Sequence, residues 1–139
     1  MSETPSYTLK QLGIVHSPHK DISDTPKCGN GDEKEGIVEI FPEFTDCLKC
    51  LEEEKFIHLI CWLDKAQRDV LSCHPRRDPA NPITGVFGTR SPSRPNPISC
   101  SLVEVLEISA NNIKVKGLDL FDGTPLLDIK PFYFPFDKK

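Results

Sequence analysis

The chain has 139 residues and a formal net charge of -4, enough for one domain with a single hydrophobic core. An acidic chain does not hold nucleic acid by bulk electrostatics, so any such contact needs a local basic patch. No run of about 18 apolar residues occurs, so no membrane-spanning helix is expected. The start, Met1 to Ser6, lacks the basic and apolar stretches of a secretory signal, which implies a cytoplasmic protein. With no export signal, the six cysteines (Cys28, Cys47, Cys50, Cys61, Cys73 and Cys100) are read as free thiols rather than disulfides. Cys47-Leu48-Lys49-Cys50 is a C-x-x-C, but a zinc site needs a second close-spaced pair and none follows. Buried, inert cysteine is expected and no metal site is assigned.

In chain order, Tyr7 to His16 reads as a first strand that Pro18 breaks. His19 to Glu35 is polar and rich in Gly, Asp and Lys, a long loop of the kind that carries function. Gly36 to Phe41 reads as a second strand stopped by Pro42. Thr45 or Asp46 can cap a short helix reaching about Lys55, with Glu52, Glu53 and Glu54 at its unfavourable end. Phe56 to Leu63 is a nearly continuous apolar run, as in a strand buried on both faces, with His58 as a core histidine bonded to backbone. Asp64 to Leu71 forms at most a helical turn, and Pro75, Pro79 and Pro82 make the rest a loop.

Gly85 to Ile98 then brings three prolines and two arginines. Pro92, Pro95 and Pro97 fix φ, remove donors and push Ser91, Arg94 and Asn96 toward extended geometry. The result is a stiff polar loop presenting Arg90 and Arg94, a ligand-binding loop rather than a linker. Ile98 to Ile108 and Ile113 to Gly117 form a hairpin through an Asn111-Asn112 turn. Leu118 to Pro125 ends in a turn, Leu126 to Ile129 is a last short strand, and Lys130 to Phe136 is an aromatic tail packed across the body. The fold class is mainly β, a small barrel or sandwich with one or two short helices and long loops, in a single domain over 1–139 of which about 7–137 is structured.

No dinucleotide-binding, P-loop, zinc-protease or serine-hydrolase motif occurs. Four polar clusters remain: Thr25-Pro26-Lys27, Asp64, Thr89 to Asn96, and Asp119 with Asp122-Gly123-Thr124-Pro125. Arg90 and Arg94 suit a carboxylate or phosphate, while Asp64, Asp119 and Asp122 suit an amino group, a ribose hydroxyl or a sulfonium-bearing ligand. A pocket with both signs fits a zwitterion. On spacing alone Asp122 to Pro125 is an ordinary turn.

Gly85-Val86-Phe87-Gly88-Thr89-Arg90-Ser91-Pro92-Ser93-Arg94-Pro95-Asn96-Pro97-Ile98, followed by Ser101-Leu102-Val103-Glu104, resembles the central motif of the TsaA-like (TrmO, formerly YaeB) family. Leu118 to Pro125 and Asp128-Ile129-Lys130-Pro131 resemble its second motif, and Ile14 to Pro18 with Phe56-Ile57-His58 its N-terminal segments. The resemblance implies a small β-barrel, usually a homodimer, that binds S-adenosyl-L-methionine without a Rossmann fold. The family's best-known members methylate the exocyclic amine of threonylcarbamoyladenosine beside the anticodon of tRNA.

Carried over by position, the cofactor contacts fall on Thr25, Pro26, Lys27, Leu63, Asp64, Arg90, Cys100, Asp119, Leu120, Phe121 and Asp122. Arg90 is expected to orient the cofactor or a substrate carboxylate, Arg94 and Asn96 to face the acceptor, and Asp64 or Asp122 to act as base. Lys20, Lys27, Arg76 and Arg77 with the two arginines would supply a local basic patch for tRNA. Three departures from the family stand out: Ser99-Cys100 where it has Gly-Leu or Gly-Met; a buried strand about two residues short before Asp64, which stands for a frequent His; and an expected lack of the C-terminal tRNA-associated domain. The alternatives are an S-adenosylmethionine-binding enzyme acting on a small molecule or another macromolecule, and a non-catalytic module that senses the cofactor.

Overall fold

The computed structural model describes residues 3–19 and 34–133. In chain order its strands are β1 (Gly13–His16), β2 (Glu35–Ile40), β3 (Phe56–Trp62), β4 (Ser72–Cys73), β5 (Thr84–Gly85), β6 (Ile98–Ser109), β7 (Asn112–Lys116) and β8 (Thr124–Pro131). Six of them close a barrel in the order β1-β2-β7-β6-β3-β8, with β8 returning to β1 and every neighbour antiparallel. β4 and β5 pair as a separate small hairpin, which corrects the expectation of loop alone after Leu71 as far as Thr84. Among the described residues no helix is long and apolar enough to cross a membrane.

The barrel follows from period-two patterning, since alternate side chains on a strand face opposite sides. Ile113 and Val115 of β7 are fully buried while Asn112 and Lys114 face solvent. Ile57, Leu59 and Cys61 of β3, Val15 of β1, Val38 of β2, Val103 of β6 and Leu126 of β8 complete the inner layer, capped by Leu118 and Leu120. Full burial of a side chain such as Leu59 contributes about 1.5–3 kcal/mol. Register shifts at Ile60/Cys61 and at Val105/Glu107 bend the long strands so that six can close. β1 and β2 approach so closely that a Cβ at Gly13 would collide with the Glu39 carbonyl, and one at Gly36 with the His16 carbonyl and the Leu118 side chain.

Several sequence expectations are corrected. The first strand covers only Gly13–His16, and residues 3–12 are not strand. No α-helix occurs among the described residues; Pro42–Leu48 and Leu51–Glu53 are 3-10 segments, separated by Cys50 in the left-handed region at φ 67. That residue breaks any continuous helix from Thr45 to Lys55. Asp64 to Leu71 holds turns and bends without helix, and β8 runs longer at both ends than Leu126 to Ile129. The hairpin turn falls on Ala110-Asn111, one residue earlier than expected.

β3 is buried on one face only: Phe56, His58, Ile60 and Trp62 point outward and are partly exposed. His58 is therefore an outer-face residue, with its Nδ1 3.5 Å from Cys100 Sγ and its ring 6.0 Å from that of Phe132. The aromatic tail does pack against the body as far as it is described. Phe132 donates its N–H to the Phe56 carbonyl at 3.1 Å, and the two rings meet edge to face at 6.5 Å.

Candidate functional site

One end of the barrel gathers the polar clusters. The antiparallel registers bring the end of β3, the start of β6, the start of β8 and the end of β1 to the same rim: Trp62 pairs Ile98, Cys61 pairs Leu126, and Val15 pairs Thr124. Three loops leave there: the segment after β3, the Pro-rich loop before β6, and the segment from Gly117 to Gly123 before β8.

Of the stretch expected as loop from Gly85 to Ile98, only Thr89 to Pro97 is neither helix nor strand: Gly85 ends β5 and Val86–Gly88 is a 3-10 turn ahead of the first proline, while Pro97 is buried. The loop's interior staple is Arg94. That guanidinium donates to the carbonyls of Val86 at 2.8 Å, Ser91 at 3.0 Å and Thr89 at 3.1 Å. The Val86 carbonyl also accepts the Thr89 N–H and hydroxyl, both at 3.0 Å. Arg94, expected to face the acceptor, thus turns inward and sets the loop's shape; a charged donor on three carbonyls outcompetes an exposed pose. Arg90 lies on the outside. One of its nitrogens reaches the Cys100 carbonyl, which ties the loop to β6, while the residue as a whole stays exposed.

The segment after β3 is zipped onto that loop. Leu63 donates its N–H to Pro97 at 2.7 Å, Arg94 donates its N–H to the Gln67 carbonyl at 3.0 Å, and Gln67 donates its own to Ser93 Oγ at 3.2 Å. Arg68 donates to the Pro95 carbonyl at 2.9 Å and to Asn96 Oδ1 at 3.0 Å, with its guanidinium 5.0 Å from the Trp62 ring centroid. Asp64 is exposed beside this seam. Lys65, its neighbour, places its ammonium 5.5 Å from the Phe121 ring, joining the seam to the third loop.

In the third loop Asp122 accepts the Ser17 N–H at 2.9 Å and donates its own N–H to the His19 carbonyl at 2.7 Å. His19 is fully buried and its Nε2 lies 3.0 Å from the Leu118 carbonyl. Gly123 supplies the turn at φ 87, and Thr124 Oγ1 donates to the Phe121 carbonyl at 2.6 Å. Asp119 accepts a hydrogen bond from the buried Ser101 hydroxyl at 2.7 Å. Leu120 is buried as part of the barrel cap, and Phe121 is half-buried.

The structure therefore unites Leu63, Asp64, Arg90, Arg94, Asn96 and Cys100 with Asp119, Leu120, Phe121 and Asp122 on one rim. Thr25, Pro26, Lys27, Cys28 and Lys20 lie outside the described residues. Arg76 and Arg77 sit on the β4–β5 connection, both with φ near 59. Sequence reading missed Arg68, Ser101, Ser17 and His19. Ser101 carried a signal, a hydroxyl at an inward position of β6 between Ser99 and Val103; Arg68 stood in a polar stretch with no distinguishing pattern.

The thiols divide into two kinds. Burial pushes the Cys61 thiol up to about 12, against the lowering pull of a Ser99 hydrogen bond, so it is inert as expected. Cys47, Cys50 and Cys100 are exposed and Cys73 half-buried, which corrects the expectation of general burial. Cys50 is nevertheless poorly suited to redox work, because a hydrogen bond and the charge of Glu53 push its pKa upward. Among the described residues no three His, Cys, Asp or Glu side chains converge as a metal would require.

The fold is a closed six-stranded antiparallel β-barrel with guanidinium and carboxylate side chains gathered on the loops of one rim. Residues 14–138 match the family model described as the tRNA-methyltransferase O N-terminal domain, and the chain belongs to that family. It is similar to a probable S-adenosyl-L-methionine-binding protein of Archaeoglobus fulgidus, 46% identical over 129 residues, covering 93% of this chain and 35% of that protein. A second Archaeoglobus fulgidus protein, described as S-adenosyl-L-methionine-binding, is 43% identical and is covered over 88% of its length, with 89% of this chain matched. Among solved structures, a crystal structure of TrmO superposes with a TM-score of 0.76 at 28% identity, and that of TrmO from Pseudomonas aeruginosa with 0.71 at 27%. The chain is matched over 99% and 96% of its length and spans 59% and 58% of those two TrmO chains.

Proposed function

We propose that this protein is an S-adenosyl-L-methionine-dependent methyltransferase whose acceptor is the N6 nitrogen of threonylcarbamoyladenosine in tRNA. The observation that carries the reading is the rim itself: exposed Arg90 and Asp64 on two loops zipped together, with Asp119 and Asp122 on a third loop that meets them where Lys65 lies over Phe121. Membership of the methyltransferase family and the cofactor-binding descriptions of its relatives support it. The residues fit the cofactor's chemistry, which asks for a cation at a carboxylate, anions at an ammonium and ribose, and apolar surface for the adenine. Arg90 would hold the carboxylate, Asp119 and Asp122 the polar groups, and Leu63, Leu120, Phe121 and the Cys100 side chain the apolar parts. When bound, the cofactor supplies an activated methyl group.

The chain's own task is placement and proton removal. Asp64, exposed at the seam, is the better placed base; the Asp122 carboxylate already fixes the Ser17 turn. Arg94 acts as a positioning residue that gives the Pro-rich loop its shape. The basic patch for tRNA would draw on Arg90, Arg68, Arg76 and Arg77, all exposed. The outward apolar face of β3 and β6, where Phe56, Ile98 and Leu102 are 38%, 41% and 46% exposed, supports a homodimer formed through that face. Light scattering should give twice the chain mass; a monomer at micromolar concentration refutes the dimer.

The test is transfer of a tritiated methyl group to bulk tRNA and, separately, to a small-molecule extract. Label in tRNA is the expected result. Label only in small molecules favours a different acceptor, and binding without any transfer favours a cofactor-sensing module.

A further inference from the structure

Pro95-Asn96-Pro97 is unusual in its hydrogen-bond inventory. Both prolines lack an N–H, and every carbonyl in the segment is taken. Pro95 accepts from Arg68 Nε at 2.9 Å, Asn96 from the Ile98 N–H at 2.7 Å, and Pro97 from the Leu63 N–H at 2.7 Å. The Asn96 side-chain oxygen is taken as well, by Arg68 Nη2 at 3.0 Å. A guanidinium carries donors only, so this bond fixes which way the amide faces: a flipped amide would set N–H against N–H. What the segment has left to offer is the Asn96 backbone N–H and the two hydrogens of Nδ2, none of which meets an acceptor among the described residues. Arg68 is itself held over the Trp62 ring and by the backbone zip at Gln67, so the amide is oriented from a rigid base.

We infer that Asn96 is a donor-only subsite for an oxygen atom of a bound ligand, a carboxylate or phosphate oxygen, and that Arg68 is the positioning residue that makes it so. Set in the exposed rim loop between two prolines, the subsite costs little ordering entropy when a ligand arrives. Arg68 adds a positive charge beside it, which favours an anionic oxygen over a neutral carbonyl. Asn96 then discriminates rather than transfers protons: it reads an acceptor atom and rejects a donor. The inference rests on the methyltransferase reading for the identity of the ligand and so for its probes, while binding and methyl transfer are read separately.

Asn96→Asp is the informative variant. It keeps the oxygen that Arg68 needs, strengthens that contact by charge, and replaces the donor with a second anionic oxygen. A purely structural role for Asn96 predicts unchanged or higher thermal stability and unchanged binding. The subsite predicts unchanged or higher thermal stability with binding weakened tenfold or more. Calorimetry against three probes separates the sources of the oxygen: S-adenosyl-L-methionine for a cofactor carboxylate, threonylcarbamoyladenosine for an acceptor carboxylate, and a short RNA for a backbone phosphate. Loss for any one of them supports the subsite and names its ligand. Equal affinity of native and variant protein for all three overturns it, as does failure of the native protein to bind any.

Arg68→Met gives a second route should the first variant fold poorly. Releasing the amide to rotate should weaken the same probe two- to fivefold and shift the Asn96 side-chain amide resonances, whereas unchanged resonances and affinity overturn the positioning role. If native protein binds with an intact Asn96 effect yet transfers no methyl group, the methyltransferase reading fails and the subsite stands.

Discussion

At one end of the barrel the loops are tied to each other across long stretches of sequence; at the other the chain turns mainly by local means. On the site rim Arg68 and Asp122 commit side-chain atoms to backbone groups far off in sequence, Arg94 staples its own loop, and the backbone of Gln67 and Leu63 joins in. On the far rim, the 3-10 segments close through bonds three residues back, Lys49 to Asp46, Glu53 to Cys50 and Glu54 to Leu51, and the β6–β7 hairpin turns through Ala110 at φ 53. Longer-range ties there are fewer and mostly backbone: Asn111 bonds to the Ile40 carbonyl at 3.1 Å and Thr45 Oγ1 at 2.8 Å, and the N–H groups of Phe41 and Val105 reach the Leu12 and Lys55 carbonyls at 2.9 and 2.8 Å. The acids Glu52 to Glu54 line that end, which suits solvent and no anionic ligand. The contrast teaches that the site rim is preorganised by its own polar side chains, and that removing one should alter binding where the far rim tolerates change.

The largest expected effect is at Arg90. Its guanidinium is exposed and makes one backbone contact, so Arg90→Ala should leave the thermal midpoint nearly unchanged and weaken S-adenosyl-L-methionine binding by about 100-fold or more, read by calorimetry. Unchanged affinity would remove it from the site. Arg94→Ala should behave in the opposite sense. Three carbonyls lose a charged donor, and chemical denaturation should show a loss of about 2–3 kcal/mol; an unaltered stability with a fall only in turnover would return Arg94 to the acceptor.

Ser101→Ala removes the hydroxyl that fixes Asp119 and should cost about 1 kcal/mol, together with a measurable loss of cofactor affinity. An effect on stability alone would make Asp119 a structural partner. The smallest effect belongs to the far rim: Ala110→Gly relieves a left-handed backbone and should stabilise by about 0.5–1 kcal/mol with no change in binding. Any loss of affinity there would break the division between the two ends.

Much of the architecture was legible because barrels are written in alternation. Ile113-Lys114-Val115-Lys116 and the run from Ile98 onward carry their inward and outward faces in plain sequence, and the prolines of the Pro-rich loop exclude helix and strand on their own. The outward face of β3 was not legible, because an apolar residue such as Phe56 or Ile60 reads the same whether it is covered or exposed. The expected helix failed at Cys50, whose left-handed φ no propensity signals. In the site, Arg90 and the aspartates were found by charge and by likeness to a known motif. The inward turn of Arg94 and the partnership of Arg68 with Asn96 depend on a fold that brings residue 68 against residues 95 and 96, and no local pattern encodes that approach.

The account is tested most directly by mass analysis of tRNA nucleosides from a strain lacking this protein. It predicts that methylated threonylcarbamoyladenosine disappears, that the unmethylated nucleoside accumulates in its place, and that the native gene but not one encoding Arg90→Ala restores it. An unchanged nucleoside profile would contradict it.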